Sequence, residues 1–225
     1  MERKVKVGFI GYGNMAQAIA KGLIKAGVCA GDEIFACASN YDKLLKNAEI
    51  LGINGAESAE EVVGNSDFVI LAVKPYQIEA VVAPILDLLA TKVVISIAAG
   101  FNFEKYEAIF KPQTHHISTI PNTPISVGEG ILVCEKKHSL SQAEYDIFIQ
   151  MFSKIALIEV VDTARLSAAG TVSGCTPAFT AMYMEALADA GVKYGIPRES
   201  AYRLAAKVIS GSGPLLSNEV FQGRG

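Results

Sequence analysis

Gly11, Gly13 and Ala16 stand at GxGxxA spacing in "GFIGYGNMA". Each position has its own task in a turn that holds an anion. The first glycine lets the chain leave a strand sharply. The second brings bare backbone against a pyrophosphate, and a small third residue lets helix and strand pack closely. The amides and dipole of a helix starting there would face the negative charge. Alone the pattern is weak, and the alternative is a turn that merely packs. Here "VKVGFI" reads as a buried strand and "NMAQAIAKGLIKAG" as a helix with Met15, Ala18, Ile19, Leu23 and Ile24 on one stripe, stopping at Gly27. That is the context a dinucleotide site requires.

Other candidates lie where further strands end. NAD sites usually carry Asp or Glu after the second strand, whereas "CASNYDK" offers Ser39 and Asn40, with Lys43 one turn on. Without a carboxylate there is room for a 2′-phosphate, so NADP is expected; NAD stays open if Asp42 turns inward. "LAVKP" closes a further strand. The backbone of Ala72 and Val73 could line ribose and nicotinamide, and Lys74 could meet phosphate or be solvated. "SIAAG" repeats the position one strand on, where Ala98, Ala99 and Gly100 leave space for a ring.

These residues need a scaffold, and the sequence alternates strand and helix to supply it. "EIFACAS", "DFVILAV", "KVVISIA" and "HHISTI" read as strands. Helical patterns separate them: about Tyr41–Leu51, a short helix capped by Ser58 with Glu61 three residues later, about Ile78–Leu89, and "NFEKYEAIF". The alternation predicts an α/β fold, a Rossmann-type doubly wound, mostly parallel sheet, over residues 1-160. After "IALIEVV" no strand signal returns. Residues 161-225 read as an all-helical domain, interrupted near Gly174 and Pro177 and restarted with Pro197 near a helix start. Phe179, Met182, Tyr183, Met184 and Leu187 form an apolar face with no obvious cover in this chain, so a partner copy is expected.

Composition narrows the classes. Of 225 residues 51% are hydrophobic, mean hydropathy is +0.32 and formal net charge is -3. A core-bearing globular chain is expected, with no basic balance toward nucleic acid or an anionic membrane surface. Apolar runs such as "FVILAV" fall short of a membrane span. The basic start "MERK" leads into a strand rather than a secretory leader, and a cytoplasmic enzyme is expected. Cys29, Cys37, Cys134 and Cys175 form no CxxC pair, and apart from Cys134, four residues before His138, they lie far in sequence from His115, His116 and His138, so no metal site is expected. His115 and His116 invite acid–base work but read better as surface or core residues. Cys175 reads as a small buried packing residue, and Asp189, Lys193 and Arg198 as a solvated loop and helix start.

"VGFIGYGNMAQAIAKGL", "FVILAVKPYQIEAVV", "VISIAAGF", "IPNTP" and "SGCTPAF…EALADAGVKYGIPR" occur in that order. Together, from Val5 to about Ser210, they resemble the pyrroline-5-carboxylate reductase family. The resemblance implies NAD(P)H-dependent reduction of a cyclic imine acid, 1-pyrroline-5-carboxylate, to L-proline, the last step of proline biosynthesis. It also implies a dimer of interlocking helical domains, or a larger ring. By resemblance, Gly11, Tyr12, Gly13, Asn14 and Met15 wrap the pyrophosphate. Ser39 meets the adenosine phosphate or ribose, and Asn54 in "GINGAE" reaches the adenosine side. Ala72, Val73, Lys74 and Pro75 follow the cofactor, with Ala98, Ala99 and Gly100 near the nicotinamide. Pro121, Asn122 and Thr123 border the reaction centre, Asn122 counting among the cofactor contacts, and Ser173 to Pro177 bring the helical domain to it. Hydroxyls of Thr123, Ser173 and Thr176 are candidates for the ring nitrogen or carboxylate; such residues near a helix break also serve as caps. A substrate arriving as iminium needs placement more than an acid.

The chain departs from the family twice. Ser118 and Ile120 stand where the family has Arg and Met before "PNTP". No Ser-Pro-Gly-Gly-Thr-Thr motif follows, and from about Pro214 the likeness fades. The expectation is therefore a truncated helical domain with part of its substrate pocket missing. Two other readings stand beside the reductase. One is another reductase of the same fold, of hydroxyacid or deazaflavin type, although no "GxxxKxxxN" pattern follows Gly170. The other is a catalytically impaired NADP-binding fragment.

Overall fold

The structure is a computed structural model that describes residues 5–219; the basic start at residues 1–4 and the last residues, 220–225, lie outside the described residues. The chain begins with β1 (Val7–Ile10), α1 (Asn14–Lys25), β2 (Ile34–Cys37), α2 (Tyr41–Leu51), β3 (Asn54–Gly55), α3 (Ala59–Gly64) and β4 (Phe68–Leu71). Then come α4 (Ile78–Val82), α5 (Leu86–Leu89), β5 (Val93–Ser96), α6 (Phe103–Glu107) and β6 (His115–Pro121). A 3-10 turn, Thr123–Val127, leads to β7 (Gly130–Glu135), α7 (Gln142–Phe152), β8 (Ala156–Val161), α8 (Thr163–Lys193) and α9 (Arg198–Glu219).

The eight strands form one sheet in the order β3-β2-β1-β4-β5-β6-β7-β8. Every neighbouring pair is parallel except β6 with β7. Strand order reverses at β1: β2 and β3 build outward on one side, β4 to β6 on the other. This is the switch point at which open α/β sheets bind ligands. Both faces are covered, as parallel sheets require. Phe9, Ile19, Leu23, Phe148 and Phe152 fill the core under α1 and α7. Val62, Leu71, Ile78, Val82 and Tyr106 fill the other, under α3, α4 and α6. Burying each such side chain is worth about 1.5–3 kcal/mol.

Local chemistry explains several boundaries. Asn40 caps α2 by accepting from the Lys43 amide, and Gly52 ends it in the left-handed region at φ 64°. Ser58 accepts from the Glu61 amide as expected, but the Glu61 carboxylate reaches the Glu57 amide, one residue before the cap. The helix expected over Ile78–Leu89 is instead two short helices joined by a 3-10 turn, Ala83–Ile85. Pro84 has no N–H to continue the ladder. The antiparallel strand β7 and the helix α7 were not legible in the sequence.

The interruption expected near Gly174 and Pro177 does not occur: α8 runs from Thr163 to Lys193 with Pro177 inside it. Two compact units divide the chain, one through Gly174 and the other from Cys175. Within the second, Ala188, Ala201 and Ala205 are buried, and the absent side chain of Gly191 admits the Ala201 methyl. Phe179, Met182 and Tyr183 are exposed at 65%, 68% and 58%, while Met184 is half-buried. Cys175 is exposed rather than buried, because Gly174, Cys175 and Thr176 form an outward-facing stretch. Among the described residues no helix is long and apolar enough to cross a membrane, and no His, Cys, Asp and Glu cluster could hold a metal ion.

Candidate functional site

The parallel register aligns the carboxyl ends of four strands: Ile10 lies beside Cys37 and Leu71, Leu71 beside Ser96, and Ser96 beside Ser118. The segments that follow therefore emerge along one edge. Gly11 to Met15, Ser39, Ala72 to Pro75, Ala98 to Gly100, and Asn122 with Thr123 all follow these ends. Their spacing in the sequence, from 11 to 123, is closed by topology alone.

Gly11 makes the turn out of β1. Its φ is +89°, its amide donates to Cys37 O at 2.9 Å, and a Cβ there would meet Ala72 O at 2.8 Å. Only glycine fits. Gly13 is different: its φ is -80°, and an added Cβ would have nothing within 4 Å. No described residue claims the space in front of it. Gly13 caps α1 with no side-chain hydrogen bond, and the first turn of α1 carries no acidic residue. Unclaimed amides, a helix dipole and open space suit a phosphate group. These residues fit a dinucleotide.

The flanking residues divide into backbone and side-chain contributors. The Tyr12 side chain is turned inward, edge-on to Phe9, and its hydroxyl finds no hydrogen-bond partner among the described residues. Burial pushes it up to about 12, so it stays neutral and only its backbone faces the turn. Asn14 and Ser39 are exposed, and Met15 is half-buried. The side chain of Asn40 is spent on its cap. Asn54 is not brought to the crevice by its side chain, whose amide donates to Asp32 O and Ile34 O at the opposite end of β2. Ala72 donates to Ile10 O, which fixes the chain as it leaves β4. Lys74 is exposed, and its backbone amide donates to Gln77 Oε1. Pro75 opens the next 3-10 turn. Ala98 is buried, its amide bound by Ser96 Oγ at 3.1 Å, while Ala99 and Gly100 are exposed. Ser96 is itself held by Tyr106 OH at 2.5 Å, and its carbonyl accepts from Thr119 Oγ1.

Three residues that position the site carried no sequence signal. Gly22, in the middle of α1, admits the turn after β6; a Cβ there would lie 2.4 Å from Ile125 O. Gly170 admits Ile120 in the same way, seating α8 on the end of β6. Glu135 is fully buried and accepts from the Phe103 amide at 2.7 Å and from Thr163 Oγ1 at 2.5 Å, tying α6 to the first residue of α8. A small residue or a carboxylate looks ordinary in sequence; only the contact gives it meaning.

Of the hydroxyl candidates, Thr123 is exposed at the start of the 3-10 turn, immediately after β6. Ser173 is buried, and its hydroxyl donates back to Gly170 O at 3.4 Å. Thr176 is exposed and belongs to the second unit. His115 and His116 lie at the start of β6, opposite the crevice. His116 is 1% exposed, stacked on Phe103 at 4.7 Å and bonded to Glu107. It is a core histidine.

Comparison with known proteins agrees with this geometry. A family described as NADP oxidoreductase, coenzyme F420-dependent, matches residues 6–100. A family described as pyrroline-5-carboxylate reductase dimerisation matches residues 163–223, past Pro214, where the likeness was expected to fade. Pyrroline-5-carboxylate reductase of Treponema pallidum is 41% identical over 218 residues, covering 95% of this chain and 82% of the relative. A crystal structure of Plasmodium falciparum pyrroline carboxylate reductase with NADP bound superposes with a TM-score of 0.85 at 28% identity, covering 96% and 80% of the two chains. That of Coxiella burnetii gives 0.82 at 28%, covering 96% and 82%. Likeness runs through both the nucleotide turn and the helical segment, at an identity that shared fold alone does not produce, and the chain belongs to the pyrroline-5-carboxylate reductase family.

Proposed function

We propose that the protein reduces 1-pyrroline-5-carboxylate to L-proline, using NADPH in preference to NADH. The carrying observation is the Gly11–Gly13 turn, open at the start of α1 and free of first-turn acids. Family membership supplies the substrate, and the NADP in the Plasmodium relative supports the coenzyme. When bound, NADPH supplies the hydride that saturates the imine carbon. Backbone amides from Gly11 to Met15 hold the pyrophosphate. Ser39 accommodates the 2′-phosphate, Ala72 to Pro75 follow the ribose, and Ala98 to Gly100 leave room for the ring. Thr123 Oγ1 is our choice to hydrogen-bond the substrate carboxylate. Ser173 serves its own helix, and Thr176 rests on resemblance alone. The proton on nitrogen arrives with the substrate as iminium, so the chain's work is placement and exclusion of water.

We assign the coenzyme to residues 1-160, and dimerisation with part of the substrate site to residues 161-225. The exposed Phe179, Met182 and Tyr183 support a second copy as the cover. Four free cysteines suit a reducing, cytoplasmic location. The test is a fluorescence titration with NADPH and NADH, followed by imine-dependent oxidation of each. Ser39→Asp should weaken NADPH on the order of tenfold through charge repulsion and spare NADH. Folded protein that ignores both coenzymes would end the proposal; coenzyme binding without turnover would leave only the nucleotide site.

A further inference from the structure

Pro177 removes one rung from α8. In an unbroken ladder the amide of residue 177 would donate to the carbonyl of Ser173, four residues earlier. That carbonyl is not left bare. Asn122 Nδ2 donates to it at 3.1 Å. Asn122 is 4% exposed, and its other polar groups are engaged on β7: Oδ1 accepts from the Ile131 amide at 2.8 Å, and its own amide donates to Ile131 O at 3.2 Å. One side chain thus bridges β7 and the proline-freed carbonyl, and the next residue is Thr123.

Gly174 marks the same turn. A Cβ there would meet nothing within 4 Å, and its φ is not in the left-handed region. Neither crowding nor backbone conformation requires glycine, yet in a helix interior it is less favourable than alanine. Glycine and proline three residues apart weaken one turn of a long helix, and Asn122 pins its carbonyl.

We infer that Asn122 is a positioning residue rather than a coenzyme contact: through Ser173 O it fixes residue 173 of α8 against the backbone that carries Thr123. The inference rests on the proposed reduction for its kinetic part only. The experiment is a double-mutant cycle of Asn122→Ala and Pro177→Ala, read by thermal unfolding, NADPH fluorescence and turnover. Alanine at 177 restores the missing amide, so Asn122→Ala should lower Tm less in that background than in the parent. NADPH affinity of Asn122→Ala should stay within about twofold of the parent, while kcat falls about tenfold or more and stays low in the double variant. If Asn122→Ala does not fold, Asn122→Asp runs the same cycle, since an ionised carboxylate can still accept from the Ile131 amide but has no hydrogen to donate to Ser173 O. Equal Tm losses in both backgrounds overturn the inference, as does a matching loss of NADPH affinity, or a kcat that recovers together with Tm. A parent protein without imine reduction would sink the proposed function instead, and the Tm cycle would still test the Asn122 bond.

Discussion

At the residue scale, two glycines two positions apart do different work. Gly11 is demanded by the fold: alanine there adds about 1–2 kcal/mol of left-handed strain, plus a clash with Ala72 O at 2.8 Å. Gly13 is not demanded by the fold, since a Cβ there touches nothing among the described residues, and the proposed pyrophosphate contact is what gives glycine a use there. Gly11→Ala should therefore lower the unfolding free energy by about 2 kcal/mol or more in urea. Gly13→Ala should change it by less than about 1 kcal/mol yet weaken NADPH at least tenfold by fluorescence titration. Equal stability losses in the two variants would refute this division of labour. The turn at Gly11 was legible because a sharp exit from a strand at positive φ leaves few choices of residue. The direction of the Asn54 side chain was not, because the resemblance gives a position, whereas the Asp32 and Ile34 carbonyls decide where the amide points.

At the element scale, hydrophobic periodicity served wherever an element buries one clear face. β1, α1, α2, β4 and β5 were all readable on that basis. β7 and α7 were not, because "GILVCE" follows a turn-rich stretch that masks a strand, and only its antiparallel pairing with β6 brings it into the sheet. Proline was misread in opposite directions. Pro84 breaks a helix read as whole, whereas Pro177 sits in a helix read as broken, since Asn122 satisfies the carbonyl it frees. Gly22 carries the sharpest element-level prediction. It lets α1 and the 3-10 turn after β6 touch, with Ile125 O 2.4 Å from where a Cβ would be. Gly22→Ala must push the two apart, at about 1–3 kcal/mol. It should also lower kcat, because the displaced turn begins at Thr123. A variant that unfolds at the parental urea concentration would show the contact to be slack.

At the scale of the whole molecule, acid should unfold the protein from the side of the sheet away from the coenzyme. Burial lowers the pKa of His116 below its usual value; the Glu107 bond and the Glu107 and Glu135 charges oppose this without overcoming it, and His115 reinforces it. Burial, helped by His116, lowers His138 as well. Each is therefore neutral in the fold at a pH where the unfolded chain, with a histidine pKa near about 6.5, already takes up a proton. The unfolded state binds more protons, so stability rises with pH through this window. The contribution is complete above about pH 7 and lost as pH falls through about 6.5 toward the depressed native values, at up to about 1.4 kcal/mol per pH unit for His116 and less for the more exposed His138. Urea midpoints at pH 8 and pH 5.5 should differ accordingly. His116→Phe keeps an aromatic ring against Phe103 and removes the titration, so it should shrink the difference while leaving NADPH affinity unchanged, because His116 lies at the end of β6 opposite the nucleotide turn. An undiminished pH dependence in that variant would assign the acid sensitivity in this window to His138. Glu144 is held below its ordinary value because hydrogen bonds from Ser141 and His115 outweigh its burial, and it is protonated only at lower pH.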